Sequence, residues 1–174
     1  MTIDLREFER RVRICFPAMY TRAVRIVGCR ETAEDVLQEA LLKGWQGLGQ
    51  LREADRLEAW LLRIATREAV AASQAMARAR ARSMPDGGLE LADRDPSPAQ
   101  LAETGEEAEI AWRAMANLSP RQRAVFVLCG VEGLELKQAA ASLNITVGAA
   151  KRHLRRARDK LRVALAQLKE DRTQ

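Results

Sequence analysis

The feature that most constrains the fold of this chain is a long, basic, amphipathic segment near its C-terminus. Small and apolar residues recur there at spacings of three and four, which predicts one buried face of an α-helix. That face consists of Val147, Ala150, Leu154, Ala157, Leu161 and Ala164. From Val147 to Val163 the other faces carry seven Lys or Arg residues against one Asp, which leaves a net charge of +6. Such a helix favours a polyanion as its partner, and a basic face that only meets water is the simpler alternative.

A second, shorter helical pattern lies just before the basic segment, from Glu135 to Leu143. Asn144 follows it and tolerates the left-handed backbone of a tight turn, while Thr146 is a suitable N-cap for the basic helix. Two helices separated by about three residues are typical of a helix-turn-helix. We therefore predict a DNA-binding motif here.

The rest of the chain is also predicted to be helical, in two blocks. Aromatic residues make up only 4% of the chain, and no alternating β-branched run is long enough for a strand. Residues 83–105 contain three of the five prolines and carry one basic residue against five acidic ones, which is typical of a flexible linker. The sequence therefore predicts an all-α protein with small helical domains at residues 1–82 and 106–174, joined by an acidic linker at 83–105.

Three helices are predicted in the first block. The first runs from Asp4 to Val27 and ends at Gly28, a suitable residue for a left-handed cap. The second is expected to be N-capped by Thr32 and to end near Leu48, and the third to run from about Asp55 to Arg82. The core side of the second helix is predicted to consist of Ala33, Val36, Leu37, Ala40, Leu41 and Trp45.

An acidic ridge is predicted on the exposed side of the second helix. It is formed by Glu34, Asp35, Gln38 and Glu39. Carboxylates near a helix N-terminus interact favourably with the helix dipole, so a solvated face is the simpler explanation of the ridge.

The second block is predicted to hold four helices, of which the last two form the helix-turn-helix. The first of the four starts at Glu106, and Ser119 caps the next, with Pro120 at the first helical position and Gln122 at the capping-box position. That helix is expected to continue to Val131.

Catalytic and metal sites find little support in the composition. The three cysteines, Cys15, Cys29 and Cys129, are scattered, and His153 is the only histidine. We therefore expect no catalytic residues, metal, cofactor or small-molecule substrate. The scattered cysteines predict reduced thiols and a cytoplasmic location, and a thiol redox switch is the less favoured alternative. The charged N-terminus and the lack of a long apolar run predict a soluble protein that is not exported.

Three segments in order resemble one family, the extracytoplasmic-function group of bacterial sigma-70-type sigma factors. AEDVLQEALLKGW, from Ala33 to Trp45, resembles that family's region 2.2, and LEAWLLRIA, from Leu57 to Ala65, resembles region 2.3 into 2.4. LSPRQRAVFVLCGVEGL followed by LNITVGAAKRHLRRARDKLR resembles region 4. The resemblance implies a region 2 helical bundle and a four-helix region 4 domain in a subunit that recognises promoters and supplies no chemistry.

The resemblance also implies partners and site residues. RNA polymerase core is expected to be bound through the β′ clamp coiled coil, contacted by Asp35, Gln38 and Glu39, and through the β flap. For the −35 element the expected contacts are Lys151, Arg152, His153, Arg155, Arg156, Arg121 and Arg123. For the −10 element they are Arg52, Arg56, Arg63 and Arg67. An anti-sigma factor, in this family often membrane-anchored, is the further partner that the resemblance implies.

Several positions depart from the family pattern, and one alternative function stays open. Thr66-Arg67 stands where Arg-Asn is common, Ala149-Ala150 where Thr-Val is usual, and Arg152-His153 where Ser-Arg is usual. These changes predict an unusual −35 preference or looser packing of the basic helix. The alternative function is a helix-turn-helix regulator that binds duplex DNA without being a polymerase subunit.

Overall fold

The computed structural model describes residues 3–51, 53–83 and 105–170, and these residues are mostly helical with no strand among them. Seven α-helices occur in these ranges: α1 (Leu5–Val27), α2 (Arg30–Gln46), α3 (Leu57–Ser83), α4 (Gly105–Ala116), α5 (Pro120–Phe126), α6 (Leu136–Leu143) and α7 (Val147–Glu170). The all-α prediction is confirmed.

The chain divides into two compact units, Met1–Met76 and Ala77–Gln174. Most of the predicted linker, residues 84–104, lies outside the described residues, so the domain limits at 82 and 106 stay predictions.

The first helix begins and ends at the residues that its sequence predicts. The Asp4 carboxylate accepts a hydrogen bond from the Glu7 backbone N–H at 2.8 Å, which caps the N-terminus of α1. Gly28 adopts the left-handed conformation, with φ 84°, and donates its N–H to Val24 O at 2.7 Å. This turn ends α1 and reverses the chain into α2.

The predicted cap of α2 is wrong. The helix begins at Arg30, two residues before Thr32, and its N-cap is Cys29 in an extended conformation. The reason is that the Gly28 turn already reverses the chain, so the Cys29 carbonyl can accept the first helical hydrogen bond, from Ala33 N–H at 3.1 Å. Amide groups of this first turn, Thr32 N–H above all, lower the pKa of the Cys29 thiol.

The helices of the first unit pack around a small apolar core. Met19 and Ile26 of α1, Leu37 of α2, and Leu57 and Leu61 of α3 are fully buried within it. A bidentate ion pair also links α1 to α3, because Arg11 Nε and Nη2 each lie 2.6 Å from a carboxylate oxygen of Glu58.

Trp45 does not lie in the core as predicted. It is exposed, and its ring meets Phe8 edge-on, with the ring centroids 5.3 Å apart. Gly44 explains the difference, since it is buried and a Cβ there would run into the Leu61 side chain. Leu61 therefore fills the space beside this turn of α2, and Trp45 lies at its edge.

The second unit packs α4 and α7 face to face. The cluster between them consists of Ala114, Met115, Leu118, Ala157, Leu161 and Ala164, and Val125, Val127 and Leu128 are fully buried in the same unit. The Ser119–Gln122 capping box predicted at the start of α5 is present, with Pro120 in the first turn. The sequence predicts that α5 continues as one helix to Val131. In the structure α5 ends at Phe126, and Val127–Val131 form a wider π-helical turn. This turn brings Gly130 against the Phe126 ring, where a Cβ would lie only 2.9 Å from a ring carbon.

Within the described residues, none of the helices combines the length and apolar character needed to span a bilayer.

Candidate DNA-binding and polymerase-binding surfaces

The helix-turn-helix has the geometry that its turn residues predict. α6 and α7 are joined by Asn144–Thr146, and Asn144 adopts the left-handed conformation with φ 52° and ψ 49°. Ile145 donates its N–H to Ala140 O at 3.0 Å, which fixes the turn against the end of α6. Thr146 Oγ1 accepts a hydrogen bond from Ala149 N–H at 3.1 Å and so caps α7. The start of the basic helix is therefore held firmly.

The basic face of α7 points away from the core of its unit. Lys151, Arg152, Arg155 and Arg156 are all exposed, whereas Ala150, Ala157 and Leu161 on the opposite face are buried. The only carboxylate on this part of the helix, Asp159, lies 3.9 Å from Arg155 and 3.8 Å from Arg162. These distances are long for exposed pairs, so the cations keep most of their capacity to attract phosphate.

Val147 was predicted to belong to the buried stripe of α7, but it is 47% exposed. It is the first residue of the helix and lies one turn before Ala150, where the buried stripe begins. The first turn of α7 therefore extends beyond the core, and its apolar side chain is presented to solvent.

A cluster of cations surrounds His153. The ring is half-buried, and its Nδ1 has no hydrogen-bond partner among the residues that the structure describes. Burial lowers the pKa of this imidazole, and the positive charges of Arg121, Arg156 and Arg152 lower it further. The side chain is thus neutral at pH 7, and the positive charge of the cluster comes from arginines of both α5 and α7.

Arg123 occupies a different environment from Arg121, although the sequence groups them. It is only 7% exposed, and its guanidinium donates to Met115 O at 3.1 Å and to Ala116 O at 3.2 Å. These carbonyls belong to the last turn of α4, where helical donors run out. Met115 O also accepts the Leu118 N–H at 3.1 Å, and the guanidinium gives it a second donor. The structure therefore places Arg123 inside the unit, away from the exposed cations, and we remove it from the set of candidate DNA contacts.

The acidic ridge on α2 is exposed as predicted. Glu34, Asp35, Gln38 and Glu39 all face solvent, above a buried row formed by Ala33, Val36, Leu37 and Ala40. Leu42, an exposed apolar side chain, continues the same face one turn further. The surface of α2 thus combines anionic and apolar groups.

One member of the ridge is already paired within the unit. Lys43 Nζ lies 3.1 Å from the Glu39 carboxylate and 2.8 Å from that of Glu68 on α3. Glu68 and then Glu39 raise the pKa of Lys43, so the bridge holds throughout the physiological range. Glu39 is therefore partly neutralised.

The four arginines predicted for the −10 element are not all brought together. Arg52 lies outside the described residues. Arg56 is exposed in a short 3₁₀ turn, Ala54–Arg56, and pairs with Glu53 at 2.7 Å. Arg63 is half-buried and Arg67 is exposed, and they share one face of α3.

The buried polar pair of Arg22 and Thr66 was missed from the sequence. Thr66 is fully buried, accepts a hydrogen bond from Arg22 Nη1 at 3.2 Å and donates one to Leu62 O at 2.6 Å. Arg22 itself is buried in α1, where its place beside Met19, Ala23 and Ile26 in the apolar stripe was the available signal. The pair gives Thr66 a structural role, joining α1 to α3.

Comparisons with known proteins match both units. The family model described as Sigma-70 region 2 matches residues 12–81, and the one described as Sigma-70, region 4 matches residues 108–161. A relative, the RNA polymerase sigma-E factor of Streptomyces avermitilis, is 30% identical over 93% of this chain and 87% of its own length.

Other relatives are longer than this chain. The ECF RNA polymerase sigma factor SigE of Mycolicibacterium smegmatis is 29% identical over 85% of this chain and 57% of its own length. The probable RNA polymerase sigma factor RfaY of Xanthomonas campestris is 32% identical over 92% of this chain and 40% of its own length. The chain thus spans about half the length of these curated relatives.

Two solved structures share the fold. The sigma factor RpoE of Bartonella quintana, in complex with the anti-sigma factor NepR, has a TM-score of 0.67 and 23% identity, covering 93% of this chain and 98% of that one. CnrH, in complex with the cytosolic domain of CnrY, has a TM-score of 0.60 and 22% identity, covering 94% and 90%.

Proposed function

Because the chain belongs to the extracytoplasmic-function group of the sigma-70 family of sigma factors, we propose that it binds RNA polymerase core and directs promoter-specific transcription initiation. The observation that carries this proposal is the presence of both family regions, in order, on one chain, with an exposed acidic ridge in the first and an exposed basic helix in the second. A DNA-binding regulator would need only the second. The polymerase performs the chemistry.

For the −35 element, we place the first turns of α7 in the major groove. Lys151 and Arg152, nearest the N-terminus of the helix, are suited to base edges, while Arg155, Arg156 and Arg121 are suited to phosphates. Neutral His153 lies between these groups as a hydrogen-bonding side chain rather than a further cation. The exposure of the cations and the rigid cap at Thr146 support this assignment.

For the polymerase core, we assign Asp35, Gln38 and Glu39 to the β′ clamp coiled coil, with region 4 meeting the β flap. Charges at such an interface steer and orient docking, and nearby apolar groups contribute much of the affinity. Leu42 provides such a group beside the ridge. Glu39 would have to exchange or share its bond to Lys43 on docking, so Asp35 is expected to contribute more.

For the −10 element, we assign Arg56, Arg63 and Arg67, together with Arg52, to the single-stranded region where a base is flipped from the duplex. Arg56 and Arg67 are exposed and Arg63 is half-buried, so contact with phosphate is the simplest role for all three.

An anti-sigma factor is the third partner that we propose. The RpoE structure contains the anti-sigma factor NepR, and CnrH is held by the cytosolic domain of CnrY. A chain with the same fold in both units is a candidate for regulation of the same kind. A pull-down from the native host that yields polymerase subunits alone would count against this part of the proposal.

Run-off transcription tests the main proposal most directly. Purified chain, purified core polymerase and genomic promoter fragments should give discrete transcripts that neither protein gives alone. A helix-turn-helix regulator would instead bind the same fragments without core polymerase and would give no transcript when core polymerase is added.

A further inference from the structure

Gly148 lies in the first turn of α7, and none of the residues that the structure describes requires a glycine there. Its φ is not in the left-handed region. The nearest heavy atom that an added Cβ would meet is Arg152 Nη1 at 3.8 Å, an ordinary van der Waals distance. Gly130, by contrast, is required by its packing against Phe126. Because glycine weakens a helix relative to alanine, the fold alone would be served as well or better by alanine.

The position of Gly148 on the helix suggests why a glycine is used. It is exposed, and it shares a face with Arg152 and Arg155, four and seven residues further along. The position without a side chain thus lies within the face that carries the cations. Residues in the first turn of a recognition helix approach the base edges most closely, and glycine allows a ligand to come near the backbone.

We propose that Gly148 is the point of closest approach between α7 and promoter DNA, and that its missing side chain sets the depth at which the helix lies in the groove. This inference rests on the proposed function, because it takes α7 to be the −35 reader. A methyl group would extend about 1.5 Å from the backbone. Such a group holds the helix away from the base edges and misaligns Arg152, whose hydrogen bonds to a base tolerate little displacement.

The test uses full-length chain assembled with core polymerase, and a duplex promoter fragment selected from genomic DNA with the wild-type holoenzyme. Gly148→Ala should bind this fragment about tenfold more weakly or worse, since a tightly packed contact resists an extra methyl group. Gly148→Val should bind still more weakly. The matched control is Ala166→Ser, which adds one heavy atom at an exposed position of the same helix and should bind as wild type.

Two further measurements make the result decisive. The melting temperature of Gly148→Ala should equal or exceed that of wild type, and its affinity for core polymerase should be unchanged. Unchanged DNA affinity would overturn the inference, and so would a loss of affinity accompanied by a lower melting temperature, because the glycine would then serve the fold. A wild-type holoenzyme that selects no fragment would refute the proposed function itself, and this inference with it.

Discussion

The ion pair between Arg11 and Glu58 is expected to stabilise the first unit, and Glu58→Gln tests how much. Both hydrogen bonds of the pair are 2.6 Å long, and the side chains are 13% and 28% exposed. Hydrogen bonds to charged groups contribute about 1.5–3 kcal/mol when buried, and exposed ion pairs about 0–1 kcal/mol. The pair is only partly buried, so its contribution should lie between these two ranges. The Glu7 carboxylate, 3.8 Å from Arg11, would still pair with the guanidinium in the variant and so reduce the loss. We expect a loss of about 1 kcal/mol in the free energy of unfolding.

Urea unfolding followed by tryptophan fluorescence can measure this loss in the full-length chain. The chain has three tryptophans, of which Trp45 and Trp60 lie in the first unit and Trp112 in the second. A Trp112→Phe background therefore makes the signal specific to the first unit. A change of about 1 kcal/mol should also lower the melting temperature of a unit of this size by about 4–8 °C.

The pH dependence of the effect identifies its source. The hydrogen bond from Arg11 lowers the pKa of Glu58, so the carboxylate stays charged in the folded protein at pH values where the unfolded chain binds a proton. The stabilisation is therefore complete above the ordinary glutamate pKa and is lost as the pH falls through the lowered pKa of the folded state. The difference between Glu58→Gln and wild type should shrink as the pH falls from about 5 toward about 3.

Glu53→Gln provides the matched control. Its pair with Arg56 is almost as short, at 2.7 Å, but the side chains are 59% and 68% exposed. Solvent screening should reduce its contribution to less than about 0.5 kcal/mol. Equal losses in the two variants, or a loss from Glu58→Gln that does not change with pH, would refute the idea that partial burial makes the Arg11 pair effective.

The two surfaces and the buried Arg123 lead to three other predictions. The double variant Asp35→Lys, Glu39→Lys should no longer co-purify with core polymerase, while its helicity, measured by circular dichroism, stays unchanged. Retained binding would show that the acidic ridge is not the core-binding surface. Arg152→Ala should cost about 1–3 kcal/mol at the preferred −35 site and relax selectivity there, whereas an equal loss on every sequence would indicate a phosphate contact. Arg123→Met should lower the free energy of unfolding by about 1–3 kcal/mol because it removes the hydrogen bonds that the guanidinium donates to Met115 O and Ala116 O, whereas Arg121→Ala should weaken DNA binding without changing the melting temperature.

The sequence predicted best those features that depend on a few neighbouring residues. The left-handed turn at Gly28, the capping box of Ser119 and Gln122, and the turn from Asn144 to Thr146 all occur as predicted. Each depends on the backbone preference of one residue or on a side-chain hydrogen bond within three positions. The helical periodicity, also local, was sufficient for the fold class.

The features that the sequence did not predict depend on contacts between helices or on how one turn leads into the next. Trp45 lies at an edge because Leu61 of another helix fills the space over Gly44. Thr32 does not cap α2, because the helix begins two residues earlier, directly after the Gly28 turn. Val147 fits the period of the buried stripe, but it is 47% exposed, because none of the described helices of its unit covers it. Periodicity gives the direction of a side chain and cannot tell whether another element covers it.

Burial separates the arginines of this chain into two functional groups that a count of charges treats alike. Arg22 and Arg123 are buried and donate hydrogen bonds inside their own units. Arg22 joins α1 to α3 through Thr66, and Arg123 binds carbonyls of the last turn of α4. A guanidinium held by such bonds would lose them on binding phosphate, and this loss would offset much of the gain. Under the proposed function, DNA affinity is therefore expected from the exposed group, and the first turns of α7, where Arg152 and Gly148 share one face, are where a change of promoter preference should be sought.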